Sequence, residues 1–158
     1  MVEQKESSSR VNCTGLSTCT EKFPSSFVET SLVSPTGHHL LVDCREVPAE
    51  TCLDDKRMLA EMAAAATEAG ATVISQVRYH FGHNSPPGYT AVVLLDESHI
   101  SAHAYAGTGQ IAIDIFTCGS TSPTDIFKKL KTKLDLGKTN VCYIPRFASE
   151  FTISSSGR

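Results

Sequence analysis

His99-Ile100-Ser101-Ala102-His103-Ala104-Tyr105-Ala106, then Gly107-Thr108-Gly109, then Gln110-Ile111-Ala112-Ile113-Asp114-Ile115-Phe116-Thr117-Cys118, is the run that decides the fold. Both long pieces have the length and side chains of strands, and the glycine-rich triplet is short enough to be a hairpin connection. Alternate residues of a strand face opposite ways, so His99, Ser101, His103 and Tyr105 share a side, and Asp114, Phe116 and Cys118 share a side of the next strand. Pairing through the turn is expected to bring His103 near that second set, where a hydroxyl, imidazoles and a thiol would meet.

Upstream, Tyr89 to Leu95 is apolar and extended, and Gly82-His83-Asn84-Ser85-Pro86-Pro87-Gly88 is a loop by its turn residues. In Ala71 to Phe81 the residues Val73, Val77, Tyr79 and Phe81 share one parity, against Thr72, Gln76, Arg78 and His80, which predicts a strand with one buried face. From Leu53 to Ala69, Met58, Leu59, Met62, Ala63 and Ala66 recur at helical spacing, with Gly70 placed for a left-handed cap. Leu40 to Cys44 is the first strand.

Downstream, Ser122-Pro123-Thr124-Asp125 supplies an N-cap, a first-turn proline and an acid, and Ile126, Leu130 and Leu134 form one apolar stripe before Gly137. Asn140 to Phe147 closes the pattern as a strand. The order β α β β β β α β predicts an α+β fold, a two-layer sandwich of a mainly antiparallel sheet with two helices on one face. The bare face needs a cover, and a second copy stacking sheet on sheet is the expected one.

The 158 residues are 41% apolar, with 14 Lys and Arg against 17 Asp and Glu, which fits one globular domain. That charge balance, without a basic tract, argues against a nucleic-acid partner. No apolar run approaches the roughly 18 residues that span a bilayer, and Met1 to Arg10 lacks the order of a secretory signal, so a soluble cytoplasmic protein without a membrane partner is expected. Residues 1–35 hold twelve Ser or Thr and few periodic apolar positions, and are expected to form a flexible extension. The domain proper is placed at 36–147 and a tail at 148–158.

Strand-borne His and Cys commonly serve only as core or edge residues. The six cysteines form no CxxC pair, and His99 and His103 find one nearby thiol and no carboxylate to complete a metal set, so no metal is assigned. A Ser-His-Asp hydrolase is allowed by residue type but lacks the G-x-S-x-G elbow.

The order of residues resembles the prokaryotic-type S-adenosylmethionine decarboxylase proenzymes, which are self-cleaving and pyruvoyl-dependent. The resemblance is carried by Gly37-x-His39-Leu40-Leu41-Val42-Asp43, Ala69-Gly70-Ala71-Thr72-Val73, Glu97-Ser98-His99, His103 and Asp114-Ile115-Phe116-Thr117-Cys118-Gly119, across roughly 36–147. It implies cleavage between Glu97 and Ser98: the Ser98 hydroxyl attacks the preceding carbonyl, the resulting ester eliminates, and Ser98 becomes a pyruvoyl group. That group would form a Schiff base with the substrate amine and take up the electrons left by CO₂, so no pyridoxal phosphate is needed. His103 matches the family's base for processing, Thr90 stands where the family has an assisting serine, and Cys118 matches the acid that returns a proton. Phe81 matches the aromatic that stacks on adenine, and Asp43 an acidic position lining the pocket.

The sequence departs from the family where His103-Ala104-Tyr105-Ala106-Gly107 replaces His-Thr-Trp-Pro-Glu, so the glutamate expected to hold the ribose hydroxyls is Gly107. The reading is therefore a decarboxylase of S-adenosylmethionine serving polyamine (spermidine) synthesis, working as a homodimer. The alternatives are an L-ornithine or L-arginine decarboxylase on the same scaffold, or an inactive homologue regulating a partner subunit.

Overall fold

The computed structural model describes residues 36–96 and 98–147, and 154–156 as backbone. The extension assigned to 1–35, the cleavage-site residue Glu97 and the rest of the 148–158 tail lie outside the described residues. The elements in chain order are β1 (Gly37–Arg45), α1 (Ala49–Leu53), α2 (Asp55–Glu68), β2 (Val73–Phe81), β3 (Gly88–Leu95), β4 (Ser98–Tyr105), β5 (Gln110–Cys118), α3 (Pro123–Lys133), β6 (Lys138–Arg146) and β7 (Ser154–Ser156). They build one sheet in the order β2-β3-β4-β5-β1-β6-β7, with every neighbouring pair antiparallel.

Parity explains the core. Leu40, Val42 and Cys44 of β1, Tyr89, Ala91, Val93 and Leu95 of β3, Ile100, Ala102 and Ala104 of β4, and Ile111, Ile113 and Ile115 of β5 all point to the helices and are buried. Met58, Met62, Ala65 and Ala66 of α2 and Ile126, Phe127 and Leu130 of α3 pack onto them. Removing that much apolar surface from water, at roughly 25 cal/mol per Å², is the main force holding the two layers together. The Tyr89 hydroxyl donates to the Thr51 carbonyl, so the one large polar tip in this layer is satisfied.

The helices depart from the two expected. Pro48 opens an additional five-residue helix, α1, and Asp54 (φ −92°, ψ 73°) breaks the chain before α2 starts at Asp55. Asp54 then caps α2 by accepting the Arg57 N–H at 3.0 Å, so the helix placed at Leu53 begins two residues later. At its other end Gly70 adopts φ 92° and Ala71 N–H reaches the Ala66 carbonyl, as the sequence indicated. α3 starts as expected, with Ser122 Oγ accepting from Asp125 N–H.

β2 corrects a second expectation. Its alternation predicts a strand with a buried face, yet it is the sheet's edge and nearly all of it is exposed, Val77 at 61% and Tyr79 at 68%. Its hold on the rest of the fold is partly ionic: Arg78 hydrogen-bonds Asp55 at the start of α2, and His80 Nδ1 lies 3.7 Å from the same carboxylate. No helix of the described residues is long and apolar enough to cross a membrane.

Candidate active site

All three helices lie against one side of the sheet, and most of the chemistry-bearing residues emerge on the other; Ser98, opposite Leu95, has the parity of the covered side. Antiparallel partners share a face, so the register orders this open face into rows running across the strands. Phe81, Gly88, Tyr105 and Gln110 form one row, and Tyr79, Thr90, His103, Ala112, Asp43 and Asn140 the next. Further along come Ser101, Asp114 and Leu41, then His99, Phe116 and His39, and last Cys118, Gly37 and Arg146.

At the last row the chain enters β4. Ser98 is partly buried, and its Oγ accepts the Cys118 backbone N–H at 3.1 Å. A fixed N–H donor aimed at a hydroxyl oxygen favours negative charge there, which is what a serine nucleophile needs. The partly buried Cys118 side chain belongs to the same row as Gly37 and Arg146. A Cβ at Gly37 would come within 2.8 Å of Arg146 Cβ and 3.0 Å of the Phe116 ring, so only glycine lets Arg146 fold down there. Its guanidinium sits 5.5 Å from the Phe116 ring centre, a cation–π contact worth about 0.5–1 kcal/mol.

Arg146 Nη1 also donates to His39 Nδ1 at 3.3 Å. Because a guanidinium only donates, Nδ1 is the acceptor and the neutral ring carries its proton on Nε2. That buried Nε2 makes no hydrogen bond, although Asp114 Oδ1 lies 3.8 Å away. Burial, then the positive charge of Arg146 and the neighbouring His99, hold the His39 pKa below its ordinary value against the opposing pull of Asp114. Asp114 in turn accepts the Ser101 hydroxyl at 3.3 Å.

At the other end, Thr90 Oγ1 and His103 Nδ1 share a hydrogen bond of 3.1 Å across the β3–β4 pairing. The bond fixes the imidazole through one nitrogen and leaves the other for proton transfer. Phe81 leans on Tyr105, ring centres 6.1 Å apart, above Gly88. A Cβ at Gly88 would fall 2.7 Å from the Phe81 ring and 2.1 Å from the Ala104 carbonyl oxygen, so the ring's seat requires glycine. Asp43 lies in the His103 row, two strands away and exposed.

The structure therefore brings the expected residues together as two groups. Ser98 stands with Cys118; Thr90, His103, Phe81 and Asp43 gather at the opposite end. The expectation that His103 would meet Cys118 is corrected by the hairpin: because Tyr105 pairs with Gln110, His103 pairs with Ala112, and Cys118 lies two residues beyond the His99–Phe116 pair. Five residue steps of strand lead from Ser98 to His103, about 17 Å at the usual rise. Arg146, missing from the sequence reading, reaches the site because β1 inserts between β5 and β6, a long-range pairing without a local signal.

Comparisons with known proteins agree with this architecture. Residues 38–147 match the family model for S-adenosylmethionine decarboxylase. The S-adenosylmethionine decarboxylase proenzyme of Symbiobacterium thermophilum is 46% identical over 89 residues, 56% of this chain and 64% of that protein, so the match spans less than two thirds of the relative's length. The proenzyme of the same name from Thermotoga maritima is 36% identical over 107 residues, 66% of this chain and 79% of the relative. The crystal structure of the adenosylmethionine decarboxylase from Aquifex aeolicus superposes with a TM-score of 0.63 at 28% identity, covering 77% of this chain and 97% of that one.

Proposed function

Because this chain belongs to the S-adenosylmethionine decarboxylase family, we propose that it is a self-processing decarboxylase of S-adenosylmethionine whose catalytic carbonyl is a pyruvoyl group made from Ser98. The observation that carries this is the Cys118 N–H donated to Ser98 Oγ at 3.1 Å. It gives a serine at a strand entrance both a held position and support for charge on its oxygen. In processing, Ser98 Oγ attacks the Glu97 carbonyl carbon, the peptide C–N bond breaks, and an ester and a free amine form. Loss of the Ser98 α-proton expels the Glu97 carboxylate and leaves dehydroalanine, whose hydrolysis releases ammonia and yields the ketone.

The residues around Ser98 fit such a group: processing would leave the Ser98 Cβ as a methyl and put the ketone on Cα, at the strand entrance that the Cys118 N–H adjoins. The group supplies an electron sink for the bond that releases CO₂. Cys118, in the row next to Ser98, is suited to hand a proton back to the substrate carbon. His103, held by Thr90, takes protons during processing, Phe81 offers an apolar face to the adenine, and Asp43 lines the pocket on the His103 side.

Proton transfer needs contact at about 3 Å, far less than the separation along β4. We therefore place each site between two copies, with Ser98 and Cys118 from one and His103, Thr90 and Phe81 from the other. A two-fold stacking of open faces supports this, since it reverses the rows and lays one end over the other. The same stacking would cover Val77, Tyr79, Leu94 and Tyr105, all 46–68% exposed on this face.

Intact mass and CO₂ release test the assignment together. The purified protein is expected as two fragments, and Ser98→Ala as one chain of 17.0 kDa. Release of CO₂ from labelled S-adenosylmethionine, but not from ornithine or arginine, is expected of the cut enzyme. An active uncut chain, or release from the amino acids alone, would overturn it.

A further inference from the structure

We propose that Thr117 takes part in self-cleavage, its buried hydroxyl accepting the hydrogen of Ser98 Oγ and so aiming that oxygen at the carbon it attacks. This rests on Ser98 being the residue that cuts the chain. The starting observation is an orphan: Thr117 is 0% exposed, and its Oγ1 has no hydrogen-bond partner among the described residues. A hydroxyl left buried and unpaired costs stability that a valine of nearly the same shape would not. Such a group is accounted for when its partner is engaged only during a reaction.

The strand register supplies that partner. One step past the His99–Phe116 pair, Ser98 and Thr117 fall opposite each other, and the Cys118 N–H held by Ser98 Oγ keeps the strands in that register. Both residues have the parity of the covered side: Thr117 continues Ile111, Ile113 and Ile115, and Ser98 precedes Ile100 and Ala102. Directly opposite side chains on one face have Cβ atoms about 4.5–5.5 Å apart, so two hydroxyls there meet by rotation about χ1. On β1, His38 lies opposite Thr117 but is bonded to Tyr143 instead.

The geometry of the serine oxygen gives the contact its use. A hydroxyl has one hydrogen and two lone pairs. In Ser98 one lone pair takes the Cys118 N–H. With the hydrogen held by Thr117, the second lone pair is left for the Glu97 carbonyl carbon, and the oxygen no longer rotates away from it. The branched Cβ of threonine restricts χ1 and keeps its own oxygen on one bearing. Thr117 thus orients the nucleophile from the covered side, apart from His103 on the open face.

Two variants separate this role from plain packing. Each chain is made by cell-free synthesis and its fragments are followed in time by intact mass; urea midpoints are read on the same variants carrying Ser98→Ala, which stay uncut. Thr117→Val is expected to cleave about tenfold more slowly than native while its uncut form is at least as stable. Thr117→Ser loses a buried methyl, so it is expected to be less stable and yet to cleave close to the native rate. Native speed in Thr117→Val, or cleavage slowed as much in Thr117→Ser as in Thr117→Val, overturns the proposal. A native chain that stays uncut overturns the parent assignment as well, and is told apart because no Thr117 variant is needed to see it.

Discussion

The two faces of this sheet are built from the same strands and obey different rules. Along β4, Ile100, Ala102 and Ala104 are fully buried beneath the helices, while Ser101 and His103 between them stay partly open and Tyr105 is 46% exposed. The covered face is fixed by volume, so any side chain of the right size and polarity serves. The open face is fixed by placement, with each polar group two residues from the next row. One strand therefore carries core and site at once, and a one-residue slip would exchange them.

The largest effect is expected where the open face is split. Ser98→Ala and His103→Asn should each lower CO₂ release at least 100-fold. Copies of the two variants that have exchanged partners should regain about a quarter of native activity, since half the random pairs hold one complete site of two. Recovery in the mixed sample, compared with either variant alone, is the measurement. No recovery would place both ends in one copy and break the account of the open face.

Next comes a contrast between faces. Ile113→Ala, in the covered layer, should lower unfolding free energy by about 2–5 kcal/mol at any protein concentration, read from denaturant midpoints. Tyr79→Glu, on the open face, should barely change the unfolding of an isolated copy, but should shift sedimentation toward the monomer as the sample is diluted. If both variants behaved alike, the open face would be ordinary surface.

A smaller effect is expected at Thr90. Thr90→Val keeps the shape but leaves His103 Nδ1 without its 3.1 Å partner, and should slow self-cleavage about tenfold, while Thr90→Ser should retain most of the rate. Time courses of fragment appearance would show it.

How much of this was legible follows from the range of each signal. The helix cap at Ser122, the glycine at 70 and the alternation of β5 are local, and the strand Gln110–Cys118 was placed to the residue. The hairpin register was also local: a turn pairing Tyr105 with Gln110 already separates His103 from Cys118, and counting back from the turn would have shown it. The exposure of β2 was not local, because Val77 and Tyr79 alternate as a core strand would, and only its edge position with a bare sheet face leaves them open. Arg146 over Phe116 depends on β1 lying between β5 and β6, which no stretch of sequence encodes by itself.

His39 gives the smallest and most specific expectation. Its ring is neutral by geometry, since Nδ1 accepts from Arg146, and burial holds its pKa below 6.5 in the folded chain. The unfolded chain binds this proton more readily, so stability is full above about pH 6.5 and declines as pH falls toward the lower folded value, where both states are protonated. His39→Asn removes the titration while retaining a polar group for Arg146. Its urea midpoint should therefore drop less than the native one between pH 7.5 and 5.5, although it starts lower. An equal drop in both would mean that the acid sensitivity resides elsewhere, and that His39 Nδ1, which accepts from Arg146, takes up no linked proton.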